Sequence, residues 1–141
     1  MSKTINRFIT LVIALGIASC TSSEPMKLNH DYPAPPSIKR LTEAGACPGG
    51  EALSAVSLPL PKFPWRAKRQ SRQGWVVVSL DVNTDGTTSN VFIRKSVPRS
   101  VFDRTSIKAV ENWRFAPPGA KPLSNCLVFI SYRLGKVTIG Q

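Results

Sequence analysis

The chain has 141 residues, 19 Lys and Arg against 8 Asp and Glu, and a formal net charge of +11. Its 1 His and 3 Cys leave little for a zinc site or for a histidine-assisted nucleophile. At this length a single hydrophobic core of modest size is expected.

Residues 1–19 have the three parts of an export signal. Lys3 and Arg7 give a positive start, and Phe8 to Ile17 is an apolar run broken only by Thr10. A transmembrane helix needs about 20 apolar residues, so this run is too short to remain as a span. Ile17-Ala18-Ser19-Cys20 then matches the bacterial lipobox: an aliphatic residue, two small ones, and a cysteine whose sulfur takes the lipid. The mature chain is expected to begin at a lipidated Cys20. Loss of Lys3 and Arg7 lowers the formal charge from +11 to +9. Inside a cell that charge would point to nucleic acid. Export points instead to lipid head groups, lipopolysaccharide, wall polymers or acidic proteins, and no nucleic acid is expected.

With Cys20 assigned to lipid, Cys47 and Cys126 remain as an even pair in an oxidising compartment, and a disulfide between them is expected. Such a bond would bring Glu51 to Leu58 toward the strand that Cys126 opens. That segment then either pairs along the strand or only staples a loop. His30 falls in a polar, proline-rich stretch and reads as a solvated residue.

Residues 20–57 read as lipid anchor and tether, since Tyr32-Pro33-Ala34-Pro35-Pro36 and its surroundings lack apolar periodicity and stay extended. Glu51 to Leu58 is compatible with a short strand or a helical turn. Leu58-Pro59-Leu60-Pro61-Lys62-Phe63-Pro64 is extended, because each proline biases its predecessor away from helix. Trp65 to Arg72 holds good helix formers and ends before Gly74. Val76, Val78, Leu80 and Val82 then alternate with Trp75, Val77, Ser79 and Asp81, the period of a half-buried strand. Asn83-Thr84-Asp85-Gly86 is a hairpin turn, and Thr87 to Lys95 returns with Val91 and Ile93 on one face.

Ser100 is expected to cap a second helix, with Asp103 three residues on. Phe102, Ile107, Val110 and Trp113 fall near one helical stripe. Pro117-Pro118-Gly119 ends that segment. Cys126 to Leu134 is the last strand, with Val128, Ile130, Tyr132 and Leu134 on one face.

The order helix, strand, strand, helix, strand predicts an α+β fold over residues 58–141. It has two layers: a three-stranded antiparallel-type sheet built on a split β-α-β unit, and two helices on one face. The last strand then lies at an open edge.

The stretch from Phe63-Pro64 through Gly74-x-Val76-x-Val78-x-Leu80-x-Val82-x-x-Asp85-Gly86 and Phe102-Asp103 to Trp113-Arg114-Phe115-x-Pro117 resembles the TonB C-terminal domain family. The resemblance spans about residues 58–135. It implies a periplasmic domain of Gram-negative bacteria that grips a short segment of an outer-membrane transporter, which adds as a strand to the domain's last strand. Carried over, the partner-binding edge is Asn125, Cys126, Leu127, Val128, Phe129, Ile130, Ser131, Tyr132, Arg133 and Leu134. Phe63-Pro64 takes the place of the family's Tyr-Pro, while Leu60-Pro61-Lys62 stands where well-known members carry a glutamine-bearing lead-in. Energy transducers of the family keep an inner-membrane helix and a long stiff span. With a lipid in place of the helix, this domain is expected to bind as they do without transmitting force.

Lys62, Arg66, Lys68, Arg69 and Arg72 form a basic patch beside Trp65, read either as a solvated helix face or as a surface for an anionic partner. Trp75, Val77 and Phe92 fall on the sheet face away from the helices, which is either a wet contact surface or a face covered by tether or dimer packing. No catalytic residue, metal site or cofactor is expected, and the chain is not expected to be an enzyme. Two functions follow: a binding module for outer-membrane transport acting by strand addition, or a structural adaptor holding another envelope protein. The expected location is the periplasm, by a lipid anchor in the outer membrane.

Overall fold

A computed structural model describes residues 32–36 and 46–140. The export signal over 1–19, Cys20 and His30 lie outside the described residues. Eight elements follow in order: β1 (Ala55–Ser57), α1 (Trp65–Arg69), β2 (Gly74–Val82), β3 (Thr88–Val97), α2 (Asp103–Val110), β4 (Arg114–Phe115), β5 (Leu123–Arg133) and β6 (Lys136–Ile139). Strands β3-β2-β5-β6 form one sheet in that spatial order, and β1-β4 form a second, two-stranded one. All neighbouring pairs are antiparallel.

The α+β class and the split β-α-β unit are as the sequence predicts. β3 and β5 flank β2, and α2 makes the crossover between them. The main sheet has one strand more than expected. After Arg133 the chain turns through Leu134 and Gly135, both at positive φ (41° and 81°), and β6 returns along β5 with Arg133 opposite Lys136. Two central residues at positive φ are what a tight hairpin needs to match the sheet's twist. Leu134, expected on the core face of the last strand, therefore sits in this turn and is 78% exposed.

Alternation in β2 decides where the core sits. Val76, Val78, Leu80 and Val82 are fully buried toward the helices, with Cys126, Ile130 and Tyr132 from β5 beside them. Phe102, Val110, Trp113, Phe115 and Ala67 close that core from above. Phe102 stacks on Tyr132 at 4.2 Å between ring centroids, and Phe63 meets both edge-on at 5.6 and 5.7 Å. The Trp113 indole N–H donates to the carbonyl of Pro59 (3.0 Å), so a buried polar group is satisfied.

The second helix starts later than Ser100. Ser100 adopts φ 63° in the preceding turn, Phe102 holds the N-cap position, and no side chain caps the helix. Its buried stripe runs through Phe102, Ser106 and Val110, four residues apart, which leaves Ile107 half-buried on the flank. Ser106 is tolerated inside because its hydroxyl donates to the Phe102 carbonyl and also pairs with the Tyr132 hydroxyl.

Residues 46–57 pack on the domain. Leu53 contacts the core, Cys47 is buried, and β1 pairs with β4 at Ala55 opposite Phe115. Glu51 to Leu58 thus contributes a short strand, but against β4 and not along the last strand. Gly86 explains part of this placement. It sits at φ 82°, its carbonyl accepts the Phe115 amide at 2.9 Å, and a Cβ there would lie 2.0 Å from the Phe115 carbonyl oxygen. The Asp-Gly turn both reverses β2 and seats β4.

Candidate functional site

β5 is the long strand next to the rim of the sheet, with the short β6 outside it. Outward groups alternate along it. The Leu127 amide donates to the Ala46 carbonyl (2.6 Å), and the Phe129 carbonyl accepts from the Gly140 amide (2.9 Å). Ser131 and Arg133 continue the same parity opposite Thr138 and Lys136. Asn125 bends away at φ 55°, its amide held by Asp81 Oδ1 at 2.7 Å. The edge expected to be open from Asn125 to Leu134 is therefore occupied in this state. Ala46 takes its start, β6 covers Ile130 to Arg133, and Leu134 belongs to the turn.

The Cys47–Cys126 disulfide is present. It fixes Ala46 against Leu127, since the bonded residues are the immediate neighbours of the two cysteines. β6 is a lighter cover. It has four residues, Lys136 exposed and the other three half-buried, with Val137 and Ile139 resting on the margin of the core.

The sheet face away from the helices is covered as well. Trp75, Val77 and Phe129 form a small buried cluster with Tyr32 packed against it. The Trp75 indole N–H donates to the Ala34 carbonyl (3.2 Å), and the Tyr32 hydroxyl donates to Ser131 Oγ (3.0 Å). The Arg133 guanidinium lies 3.9 Å from the centre of the Tyr32 ring. Of the two readings of this face, tether packing holds for Trp75 and Val77. Phe92 stays 42% exposed.

Lys62, Arg66, Lys68, Arg69 and Arg72 are all exposed, on α1 and the chain beside it. Arg66 and Arg69 flank the Trp65 ring at 5.6 and 5.4 Å from its centre, and Trp65 is 60% exposed. Between α1 and the start of α2 runs a groove of about 950 Å³. It is bordered by Lys62, Arg66, Arg72, Arg104 and Lys108, and among the described residues no carboxylate lines it. Phe63 packs against the core and also lines the groove, beside Pro64.

Two titratable groups show how the site's neighbours are held. Burial pushes the Tyr132 phenol up to about 12; the Asp103 charge adds to the rise and the Ser106 hydrogen bond opposes it. The Asp85 carboxylate in the hairpin turn is held below its usual value by the Thr87 hydroxyl and then the Thr87 amide. Among the described residues, no helix is long and apolar enough to cross a membrane.

Sequence reasoning missed Ala46, Tyr32 and β6. The third carried a usable signal, a Leu-Gly turn followed by Lys136-Val137-Thr138-Ile139 in alternation. Tyr32 is a lone aromatic among prolines, and nothing local marks Ala46.

The family of the Gram-negative bacterial TonB protein C-terminal matches residues 59–134. Protein TonB of Escherichia coli (strain K12) is 34% identical over 84 residues, covering 60% of this chain and 34% of that protein. Protein TonB of Klebsiella pneumoniae is 30% identical over 122 residues, covering 83% and 48%. The chain thus spans about a third to a half of the length of these relatives. A solution NMR structure of the Pseudomonas aeruginosa TonB C-terminal domain aligns with TM-score 0.46 at 22% identity, over 63% of this chain and 85% of that one. Since the family match takes in the hairpin, both helices and the whole of β5, the chain belongs to the TonB C-terminal family.

Proposed function

We propose that this domain binds an extended segment of an outer-membrane transporter by strand addition on the outer edge of β5, as a periplasmic lipoprotein anchored through Cys20. The observation that carries this reading is the edge itself: a long strand whose outward groups over Ile130 to Arg133 are paired, among the described residues, with a strand of only four residues. A peptide that displaces β6 exchanges one set of backbone hydrogen bonds for another, so little is lost in bonding. Its side chains then decide the affinity. The lipobox before Cys20 supports the anchor, and family membership supports the transport role.

Titration of the labelled domain with N-terminal segments of outer-membrane transporters, followed by NMR, tests the reading. The expected result is shifted amides from Leu127 to Arg133, together with loss of the β5–β6 contacts. Shifts confined to α1 would replace this reading with that of an adaptor for another envelope protein.

A further inference from the structure

We propose that the surface around α1, centred on Trp65, docks on an anionic lipid bilayer, with the basic groove beside it taking headgroup phosphates. The groove between α1 and α2 has Lys62, Arg66, Arg72, Arg104 and Lys108 on its border and, among the described residues, no carboxylate. Its floor is apolar, with Pro64, Ala67 and Val101 among the lining residues. A phosphate approaching it meets five cations and neutral polar side chains such as Gln70 and Thr105, and the glycerol and upper acyl carbons meet an apolar surface.

Trp65 lines the same groove. A tryptophan exposed to 60% is an unfavourable way to spend a large apolar ring in water. Here Arg66 and Arg69 lie over its ring. An amphipathic ring flanked by cations is the chemistry that settles at the headgroup level of a bilayer. Leu134, 78% exposed, lies on the same end of the domain. Its neighbour Gly135 faces α1: a methyl group there would sit 3.8 Å from Lys68 Cε.

On the reading of Cys20 as the lipid anchor, the domain is also held close to a bilayer. Tyr32 is clamped to the sheet by Ser131 and Arg133, beside that same turn. The chain between Cys20 and Tyr32 can span at most about 40 Å even when fully extended. A domain of about 100 residues has a radius of gyration of about 13 Å. The docked Tyr32 therefore keeps the domain within about its own diameter of the bilayer that holds the anchor. A leash of that length lets the end that carries Leu134 and α1 reach the surface.

The test uses the mature-length chain, residues 20–141, with Cys20→Ser so that no acyl chain assists. Vesicles of phosphatidylcholine alone are compared with vesicles containing phosphatidylglycerol. Of the 3 tryptophans, Trp75 and Trp113 are buried, so a change in fluorescence reports Trp65. The expected result is binding to the anionic vesicles only, weakened by salt, with a blue shift and quenching by lipids labelled near the headgroup. Each cation at an anionic surface is worth roughly fivefold in partitioning. Arg66→Gln with Arg69→Gln should thus lower it roughly 25-fold, and Trp65→Ala should lower it without changing the salt dependence.

A charge-matched control, Arg94→Gln with Lys121→Gln, should lose far less. Equal loss in both double variants would overturn the proposal, as would binding without quenching of Trp65. Binding to polyglutamate as tight as to anionic vesicles would overturn it in favour of an acidic protein partner. Because the tested chain is unacylated, failure here leaves the anchor to be judged by the mass of the wild-type protein. Peptide binding at β5 is judged separately by NMR.

Discussion

Ala46 and Leu127 share a backbone hydrogen bond of 2.6 Å, one residue before and one residue after the two halves of the Cys47–Cys126 disulfide. The covalent link and the hydrogen bond act on the same few ångströms of sheet edge. Ala46 carries no structural signal of its own. It is held on β5 because the next residue is tied to the residue beside Leu127. Replacing both cysteines by serine is therefore expected to have two effects. Stability should fall, by up to about 4–5 kcal/mol in the chain-entropy account of a loop of about 80 residues. The Leu127 amide should exchange with solvent much faster than Val128, whose bonds belong to the β2–β5 pairing. Denaturant melts measure the first and hydrogen exchange the second. A Leu127 amide as protected as in the oxidised protein would show that Ala46 needs no clamp.

The other half of the edge is closed without a covalent bond. Ending the chain after Gly135 removes β6 and leaves Ile130 to Arg133 unpaired on their outer side. If strand addition is the mode of binding, peptide affinity should rise by about 5- to 150-fold, the range a coupling of about 1–3 kcal/mol produces. Thr138→Pro is the milder form, since it deletes a backbone donor that faces Ser131. Calorimetric titration reads both. Affinity that stays the same or falls in both variants would mean that β6 does not compete for the site.

These two predictions also mark how far the sequence could be read. The hairpin, the β2 alternation and the aromatic core were legible because each rests on a local period or a turn residue with a single geometric solution. Val76 to Val82 on one face and Asp85-Gly86 at the turn need no knowledge of the rest of the chain. The state of the edge was not legible. Closing it depends on residues distant in sequence: Ala46 reaches Leu127, and Tyr32 reaches Ser131. The Ser100 cap failed for a related reason. Its residue type suits a cap, but the turn from Val97 to Phe102 sets Ser100 at φ 63° and hands the N-cap position to Phe102. The stripe on α2 shifted by one residue because Ser106 found two buried hydrogen-bond partners, an option that hydrophobic periodicity does not see.

Gly86 is the position where a single methyl group should do most local damage. Its φ of 82° is unfavourable for any residue with a Cβ, and that Cβ would lie 2.0 Å from the Phe115 carbonyl oxygen. The obstacle is backbone, so no side-chain rotation relieves it. Gly86→Ala should cost about 1–3 kcal/mol from the backbone conformation alone, and more if β4 is pushed off. Chemical denaturation measures it. Asp85→Ala is the comparison, since it removes the bonds to Thr87 and leaves the space unchanged. If Gly86→Ala proves no worse than Asp85→Ala, the close approach of Phe115 is not a constraint.

Tyr132 gives the clearest dependence on pH. Its ring is fully buried between Phe102 and Phe63, and its hydroxyl pairs with Ser106 Oγ at 2.7 Å. Burial raises the phenol from its ordinary 10.0 to about 12, because an anion there would be cut off from water. The neutral phenol is thus favoured by folding. The stability it contributes is fully present below about pH 10, where the unfolded chain still keeps its proton, and is lost as pH rises toward about 12. The size is roughly 2–3 kcal/mol, at 1.36 kcal/mol per pKa unit. Tyr132→Phe separates this from the titration of the lysines, which both proteins share. At neutral pH the variant should be less stable by about 0.5–1.5 kcal/mol, the usual worth of a lost buried hydrogen bond. Above about pH 10 the gap should close and then reverse, since phenylalanine has no proton to lose. Denaturation curves of the two proteins at a series of alkaline pH values give the comparison. A gap that keeps its neutral-pH size throughout would mean that the phenol ionises as readily in the fold as in the open chain.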